Sequence, residues 1–516
     1  MLHLYSTIVA LLLVSSSYII YRLVTSWVLP PSHFPKNIPT IPFYYTLIPL
    51  FKDVDQEHLW HKYLKKPLEE FGAVKIYFGG AWNVLITRPE YINQVFKQDD
   101  TFPKAGNHIK NPHSILALYT GENVISAIND QWRGFASIVK PGLQADVDTS
   151  IIVKNAEKLI DIVVKEQQSQ GAVVMPKPLQ DYALANLSEA LLGASFGTLD
   201  DPNAPLSKMQ SQIKPKIFNP FYLNFPLLDH FKLASREEAR KLVKKFKKDL
   251  CDTVLRAHNH KHEQGMDSNH LGCRLVTAYE EGLINRYHLQ QNCLSMFLAG
   301  HENPQILLLS IMRMLAEHQN LQKKLREEIL ALSPQDQVSP HALAEIPLLT
   351  STIYETLRLY PPISQLMNRR TEENVMLGDD ILLRKGTYCG YNGYTTNRDV
   401  EAWGSDSHEF KPSRWGDTNE DIQLLFRKSS SKSTFISFHG GRRTCLGIKF
   451  AMMGARLSVS KLLTSLEWRL DPTWPRRMTP AGPLMPRMLK LKFRRVGETE
   501  SVPLEQEFFP MHGFSA

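Results

Sequence analysis

Cysteine is scarce in this 516-residue sequence, with five residues at positions 251, 273, 293, 389 and 445. An odd, scattered set with no Cys-x-x-Cys pair excludes a disulfide framework, a redox dithiol and a covalent Cys-x-x-Cys-His haem site. Such thiols suit the reducing, cytosolic side. Zinc-finger spacing, an RNA-binding aromatic motif, a long basic arm and internal repeats are also missing, so nucleic acid is not an expected partner despite the net charge of +8. With 43% hydrophobic and 22% charged residues, the chain is neither a disordered tail nor a multi-span membrane protein.

What is present begins at the N-terminus. "LYSTIVALLLVSSSYIIYRLV", from Leu4 to Val24, has about the ~20 residues a helix needs to cross a bilayer. No basic n-region or small-residue cleavage site accompanies it, which favours a retained anchor over a cleaved signal. Basic residues follow only at Arg22, Lys36 and beyond, an arrangement that places the body in the cytosol. "LPPSHFPKNIPTIP", from Leu29 to Pro42, holds five prolines and reads as a stiff spacer. The expected division is an anchor over 1–28, a hinge over 29–42 and one large domain over 43–516.

Within the body, "VKIYFGG" and "NVLITRP" predict an early hairpin. The pattern after Asp99 is mostly helical. "IKPKIFNPFYLNFPLLDHF", from Ile213, reads equally as a core loop or as a loop dipping into a membrane interface. His258, His260 and His262 lack a framework of other ligands and read as part of a charged linker.

The chemistry concentrates around Cys445, in "FHGGRRTCLG". A phosphatase-type nucleophile wants an arginine six residues on, where Ala451 stands. A thiol at a Gly-rich turn before an apolar helix instead meets backbone N–H groups and a helix dipole, which favour anionic sulfur. Such a sulfur binds metal.

The order Phe438-x-x-Gly441-x-Arg443-x-Cys445-x-Gly447 resembles the haem-binding signature of the cytochrome P450 superfamily at every defining position. The resemblance implies Cys445 as axial ligand, Arg443 on a haem propionate, Phe438 covering the sulfur, and Gly441 and Gly447 shaping the turn. Two further stretches agree. Glu355-x-x-Arg358, with Phe410-x-Pro412-x-Arg414-Trp415, is similar to the family's buried Glu/Arg/Arg network, a structural brace of one carboxylate held bidentately between two guanidiniums. "SMFLAGHENPQILLLS" is similar to the long helix that crosses the haem opposite the cysteine.

That helix departs from the family pattern. Ala299-Gly300-His301-Glu302-Asn303 has an amide where the family has a threonine hydroxyl, and Pro304 deprives the Gly300 carbonyl of its usual partner. Glu302 and Asn303 are the candidates for oxygen activation and proton delivery. A second departure lies in "NDQWRGFASIVKPGL". Trp132 matches a propionate-facing tryptophan, but Ala136 stands where the family has arginine. Arg369 falls where another propionate partner is placed, and Ile363 to Met367 would border the substrate. The stretch from Lys104 is a candidate for lining the entrance.

The resemblance implies a mainly α fold with a small β region, a helical triangular prism carrying an N-terminal transmembrane helix. The implied cofactor is haem b, reduced with NADPH-derived electrons through NADPH–cytochrome P450 reductase. The implied place is the endoplasmic reticulum membrane, single-pass, with a cytosolic domain acting on a small molecule. The expected reaction is oxidation of a hydrophobic or aromatic substrate by dioxygen in fungal secondary metabolism. An alternative is oxidative phenol coupling, because "AGHENPQ" is similar to the same stretch of dityrosine-forming fungal enzymes. A non-enzymatic haem protein ranks lower.

Overall fold

A computed structural model describes residues 2–231, 233–264 and 269–498. The last stretch of the expected catalytic domain, 499–516, lies outside the described residues. In chain order the principal helices are α1 (Leu2–Val28), α2 (Pro89–Lys97), α3 (Asn129–Gln144), α4 (Thr149–Gln170), α5 (Pro176–Asn186) and α6 (Pro205–Ile217). They continue with α7 (Ala234–Glu263), α8 (Leu271–Glu280), α9 (Arg286–Glu317), α10 (Gln319–Leu330), α11 (Pro347–Leu359), α12 (Asn419–Ser431) and α13 (Ile448–Ser465). The expected mainly helical fold with a small β region is what the chain forms.

Residues 73–86 form the predicted hairpin: β1 (Ala73–Phe78) pairs antiparallel with β2 (Ala81–Ile86). Its two-residue turn is Gly79-Gly80, both at positive φ (59° and 79°). Positive φ at both positions is what a tight hairpin turn demands and what glycine supplies without strain. With β3 at Val173–Val174, the next strands are β4 (Gln365–Arg370), β5 (Val375–Leu377), β6 (Ile381–Leu383) and β7 (Tyr388–Asn392). β1, β2, β7 and β4 make one sheet in that order, with β2–β7 parallel and β4–β7 antiparallel. The sheet packs its own apolar cluster, while the largest core lies among the helices.

α9 runs through this larger core. It is capped by Asn285, whose side chain accepts from the His288 N–H. Residues on several of its faces are buried, from Leu289 and Cys293 to Leu309 and Leu315, as expected of a helix crossing a core. It continues through Pro304 as one helix.

The N-terminal expectation requires correction. No helix among the described residues is long and apolar enough to cross a membrane. α1 is 27 residues long, but Ser15, Ser16, Thr25, three tyrosines and Arg22 interrupt its aliphatic residues. Hydroxyls are costly to bury away from water, and those of Ser15, Ser16 and Thr25 bond back to carbonyls of their own helix. The helix end also touches the body, where Trp82 donates to the Trp27 carbonyl at 3.0 Å and Trp27 meets the Phe225 ring. The transmembrane anchor, the membrane as a partner and single-pass residence in the endoplasmic reticulum membrane are therefore withdrawn.

The aromatic segment after Ile213 folds as the end of α6, a short helix Pro220–Asn224 and a tight helical turn Pro226–His230. It is neither wholly core nor wholly surface. Phe218, Phe221, Leu227 and Phe231 are exposed, whereas Asp229 is buried and bonds Arg236 on α7 at 2.6 Å. The three histidines 258, 260 and 262 lie on the last turns of α7.

Candidate active site

The cysteine turn is built before α13 begins. Gly441 sits at φ +63°, and a Cβ there would meet the Phe96 carbonyl oxygen of α2 at 2.3 Å. Only glycine allows both the turn and this approach. The Cys445 N–H donates to the Phe438 carbonyl at 2.9 Å, closing the loop. Phe438 packs its ring near Phe435 and Phe426, so an aromatic wall backs the thiol. A Cβ on Gly447 would meet nothing within 4 Å, which leaves open space beside the turn.

The thiol does not show the lowered pKa expected from its turn. Burial raises it, and the backbone at Gly447 offsets this only in part. Desolvation of the anion outweighs a few dipoles, so the thiolate needs a positive partner, and a bound metal is one.

At the edge of this region the structure gathers cations. Arg369 on β4 is 1% exposed, and its Nη1 donates to Asp99 and to the Phe102 carbonyl. Arg443 is buried, donates to the Ala127 carbonyl at 2.9 Å and lies 3.8 Å from Asp99. Its guanidinium stands 4.5 Å from the centre of the Trp132 ring. Arg443, Arg369 and Trp132, far apart in sequence, thus converge. Burial lowers the Arg443 pKa to about 10. Burial, with Lys104 and Arg369 nearby, holds His439 down to about 3 and so neutral. The Nε of Arg369 is buried without an acceptor.

Sequence reasoning missed Lys104 here. It was read as part of an entrance loop, but it is buried beside Arg369, to which it is bridged through the backbone. These donors fit a haem: a thiol in an aromatic-backed turn, open space at Gly447 and buried cations with an acceptor missing.

The brace is present in altered form. Arg358 grips Glu355 with two bonds of 2.8 Å, both side chains fully buried. Arg414 makes one longer contact of 3.4 Å to Glu355, and its fork turns to Asp406 and the Trp403 carbonyl. The expected double bidentate grip is therefore single. Trp415 Nε1 and the Lys411 N–H complete the carboxylate's shell at 3.0 Å each. Full satisfaction is what makes a buried charge tolerable.

Across the core, α6 clamps α9 at two points one turn apart. Gln210 meets His301 Nε2 at 3.0 Å, and Lys214 pairs with Glu302 at 2.8 Å. His301 donates through Nδ1 to the Phe297 carbonyl, and burial keeps it neutral, with a pKa of about 4. For Glu302, burial works against the charge, but Lys214 and His301 outweigh it and the pKa is lowered. Its carboxylate is thus held ionised. The Asn303 amide has no hydrogen-bond partner among the described residues. Nearby, the Tyr119 hydroxyl is buried and also unpartnered, and it senses the Glu302 charge. Lys214 and Tyr119 carry no motif, so only tertiary structure reveals them.

Arg133 points away from these groups and pairs with Asp130 at 2.5 Å on the surface. Ala136 packs partly buried against the helical core.

The family profile described as Cytochrome P450 matches residues 36–493. Cytochrome P450-DIT2 of Saccharomyces cerevisiae is 40% identical over 488 residues, covering 94% of this chain and 97% of that protein. Cytochrome P450 monooxygenase xanG of Aspergillus fumigatus is 34% identical over 475 residues, covering 90% and 87%. The crystal structure of the cytochrome P450DA heme domain aligns with a TM-score of 0.72 at 14% identity, covering 90% of this chain and 98% of that one. The chain belongs to the cytochrome P450 family. It is a haem-dependent oxidoreductase, supplied with electrons from NADPH, and is related to the fungal Cytochrome P450-DIT2 and Cytochrome P450 monooxygenase xanG.

Proposed function

We propose that this enzyme couples two phenolic, tyrosine-derived molecules oxidatively, without inserting oxygen into the product. The balanced reaction joins two phenols with loss of two hydrogens, while dioxygen and NADPH with one proton yield two waters and NADP+. Bound haem supplies the reduction of dioxygen, and the chain supplies position, charge and protons.

Cys445 would hold the iron, and Arg443, Arg369 and Trp132 would surround the propionates. Phe438 would shield the sulfur from water. On the opposite face, Glu302 would accept and return protons, positioned by Lys214. Asn303 would donate hydrogen bonds through its amide. The observation that carries the proposal is Ala299 to Pro304: the stretch holds no hydroxyl residue next to Glu302 on α9, and the Asn303 amide is unpartnered among the described residues. An amide orients a ligand but relays no proton as a hydroxyl does. Abstracting a phenolic hydrogen tolerates that loss better than oxygen insertion does. The 40% identity to Cytochrome P450-DIT2 supports the same reading.

Reconstitution with reductase, NADPH and tyrosine derivatives tests it. Coupling yields a product of twice the substrate mass less two hydrogens. A monomer one oxygen heavier would establish hydroxylation instead, the reading favoured by the monooxygenase name of the 34% relative.

A further inference from the structure

Opposite the cysteine, one buried polar group is left without a use. Tyr119 is fully buried, and its hydroxyl has no hydrogen-bond partner among the described residues. An unpaired buried hydroxyl is costly unless a ligand supplies its partner.

The side chain is nevertheless held firmly in place. Its short helix, Ile115–Thr120, starts on the Ser114 hydroxyl, which accepts from the Ala117 N–H. Asp229 accepts from the Ile115 N–H at 2.9 Å, and Lys247 of α7 donates to the Leu118 carbonyl at 3.2 Å. The Tyr119 ring meets Phe218 edge to face, with centroids 6.4 Å apart. Phe218 directly follows α6, one turn beyond the Lys214 that pairs with Glu302. One end of α6 therefore gathers Tyr119 and Glu302. Glu302 keeps 22% of its side chain open, so its carboxylate has room for a second partner.

The two groups differ in what they offer. Burial and the Glu302 charge hold the Tyr119 phenol well above its ordinary pKa, so it stays a neutral donor. Glu302 is buried, yet Lys214 and His301 hold it ionised, so it only accepts. A ligand group that satisfies both accepts one hydrogen bond and donates another. A phenol hydroxyl does this, whereas an aryl methyl ether cannot donate and a carboxylate is repelled by Glu302. We infer that Tyr119 and Glu302 form a phenol-recognising pair, in which Tyr119 donates to the substrate's phenolic oxygen and Glu302 accepts from its O–H. Tyr119 is thus a specificity-determining residue supplied from outside α9, where Ala299 to Pro304 carry no hydroxyl. The inference deepens the phenolic-substrate reading and rests on it, but not on whether coupling or hydroxylation follows.

Binding to the ferric holoenzyme without NADPH or reductase, measured by equilibrium dialysis, tests it. The probes are N-acetyltyrosine methyl ester, its O-methyl ether and N-acetylphenylalanine methyl ester. Wild type should prefer the tyrosine ester to each of the others by at least about tenfold. In Tyr119→Phe the preference over the phenylalanine ester should fall to about threefold or less, with affinity for the phenylalanine ester itself unchanged. A merely structural tyrosine would weaken both esters alike. Because the substitution removes an unpartnered hydroxyl, the substrate-free variant should unfold at no lower denaturant concentration than wild type. Unchanged preference in Tyr119→Phe, equal loss of both esters, or a less stable substrate-free variant would overturn the pair, whatever the product. A lost preference in Tyr119→Phe together with an oxygenated monomer in the NADPH-driven reaction would overturn coupling and leave the pair standing.

Discussion

The two faces of the expected haem slot differ in how they use sequence. On the cysteine face, Phe438 to Gly447 is a local motif, and its geometry is local too: Gly441 takes positive φ, and Cys445 closes back on Phe438. On the opposite face, the distinctive residues of α9 depend on partners about ninety positions away, since Gln210 and Lys214 of α6 grip His301 and Glu302. On the proposed reading the first face would hold the cofactor in a way common to the family, and the second, where this chain departs from the family pattern, would set what is done with it.

Breaking the brace behind the first face should have the largest effect. Arg358→Ala leaves the Glu355 carboxylate buried with its main partner gone, a loss of about 3–5 kcal/mol. We expect little or no haem-loaded protein, measured as haem absorbance per protein. Arg414→Ala should be milder because its contact with Glu355 is single and long. Replacing Cys445 with Ser should abolish the red-shifted band of the reduced carbon monoxide complex.

Effects on the second face should be catalytic. Glu302→Gln should lower product formed per NADPH consumed by about a hundredfold, the low end for a lost proton-transfer group, with haem content unchanged. Lys214→Met should do the same more weakly, because it acts through Glu302. Equal coupling in both variants and wild type would remove Glu302 from the proton path.

The same face also makes stability depend on pH. Burial holds His301 at about 4, below its ordinary 6.5, so between these values the unfolded chain binds the extra proton. Its contribution is complete above pH 6.5 and lost as pH falls toward 4, by up to about 3 kcal/mol. Denaturant melts from pH 7 to pH 4.5 should show this decline, and His301→Gln should make it shallower, leaving the part that His439 and His408, also held low by burial, contribute. The smallest effect is expected at Asn303→Ala, which removes an unpartnered amide and should change product ratio more than rate.

The cysteine turn, the Glu355–Arg358 pair and the hairpin were legible because each is fixed by spacing over a few residues. The edge cluster was half legible: Arg443, Arg369 and Trp132 carry family positions, whereas Lys104 is buried only because residues 103–105 pair with β4. Burial of a lysine leaves no mark in sequence. Lys214 and Tyr119 were invisible because only the packing of their helices against α9 brings them to Glu302. The membrane anchor was misread because length was counted and the interspersed hydroxyls of α1 were not weighed. The cysteine pKa was misjudged because dipoles at a helix start were credited without the cost of burial.

The central claim is that the face built on Glu302 and Asn303 serves radical coupling and not oxygen insertion. Mass spectrometry of products formed under isotopically labelled dioxygen addresses it most directly. The account predicts a dimeric product free of label, with the label recovered in water; a product carrying one labelled oxygen atom would contradict it.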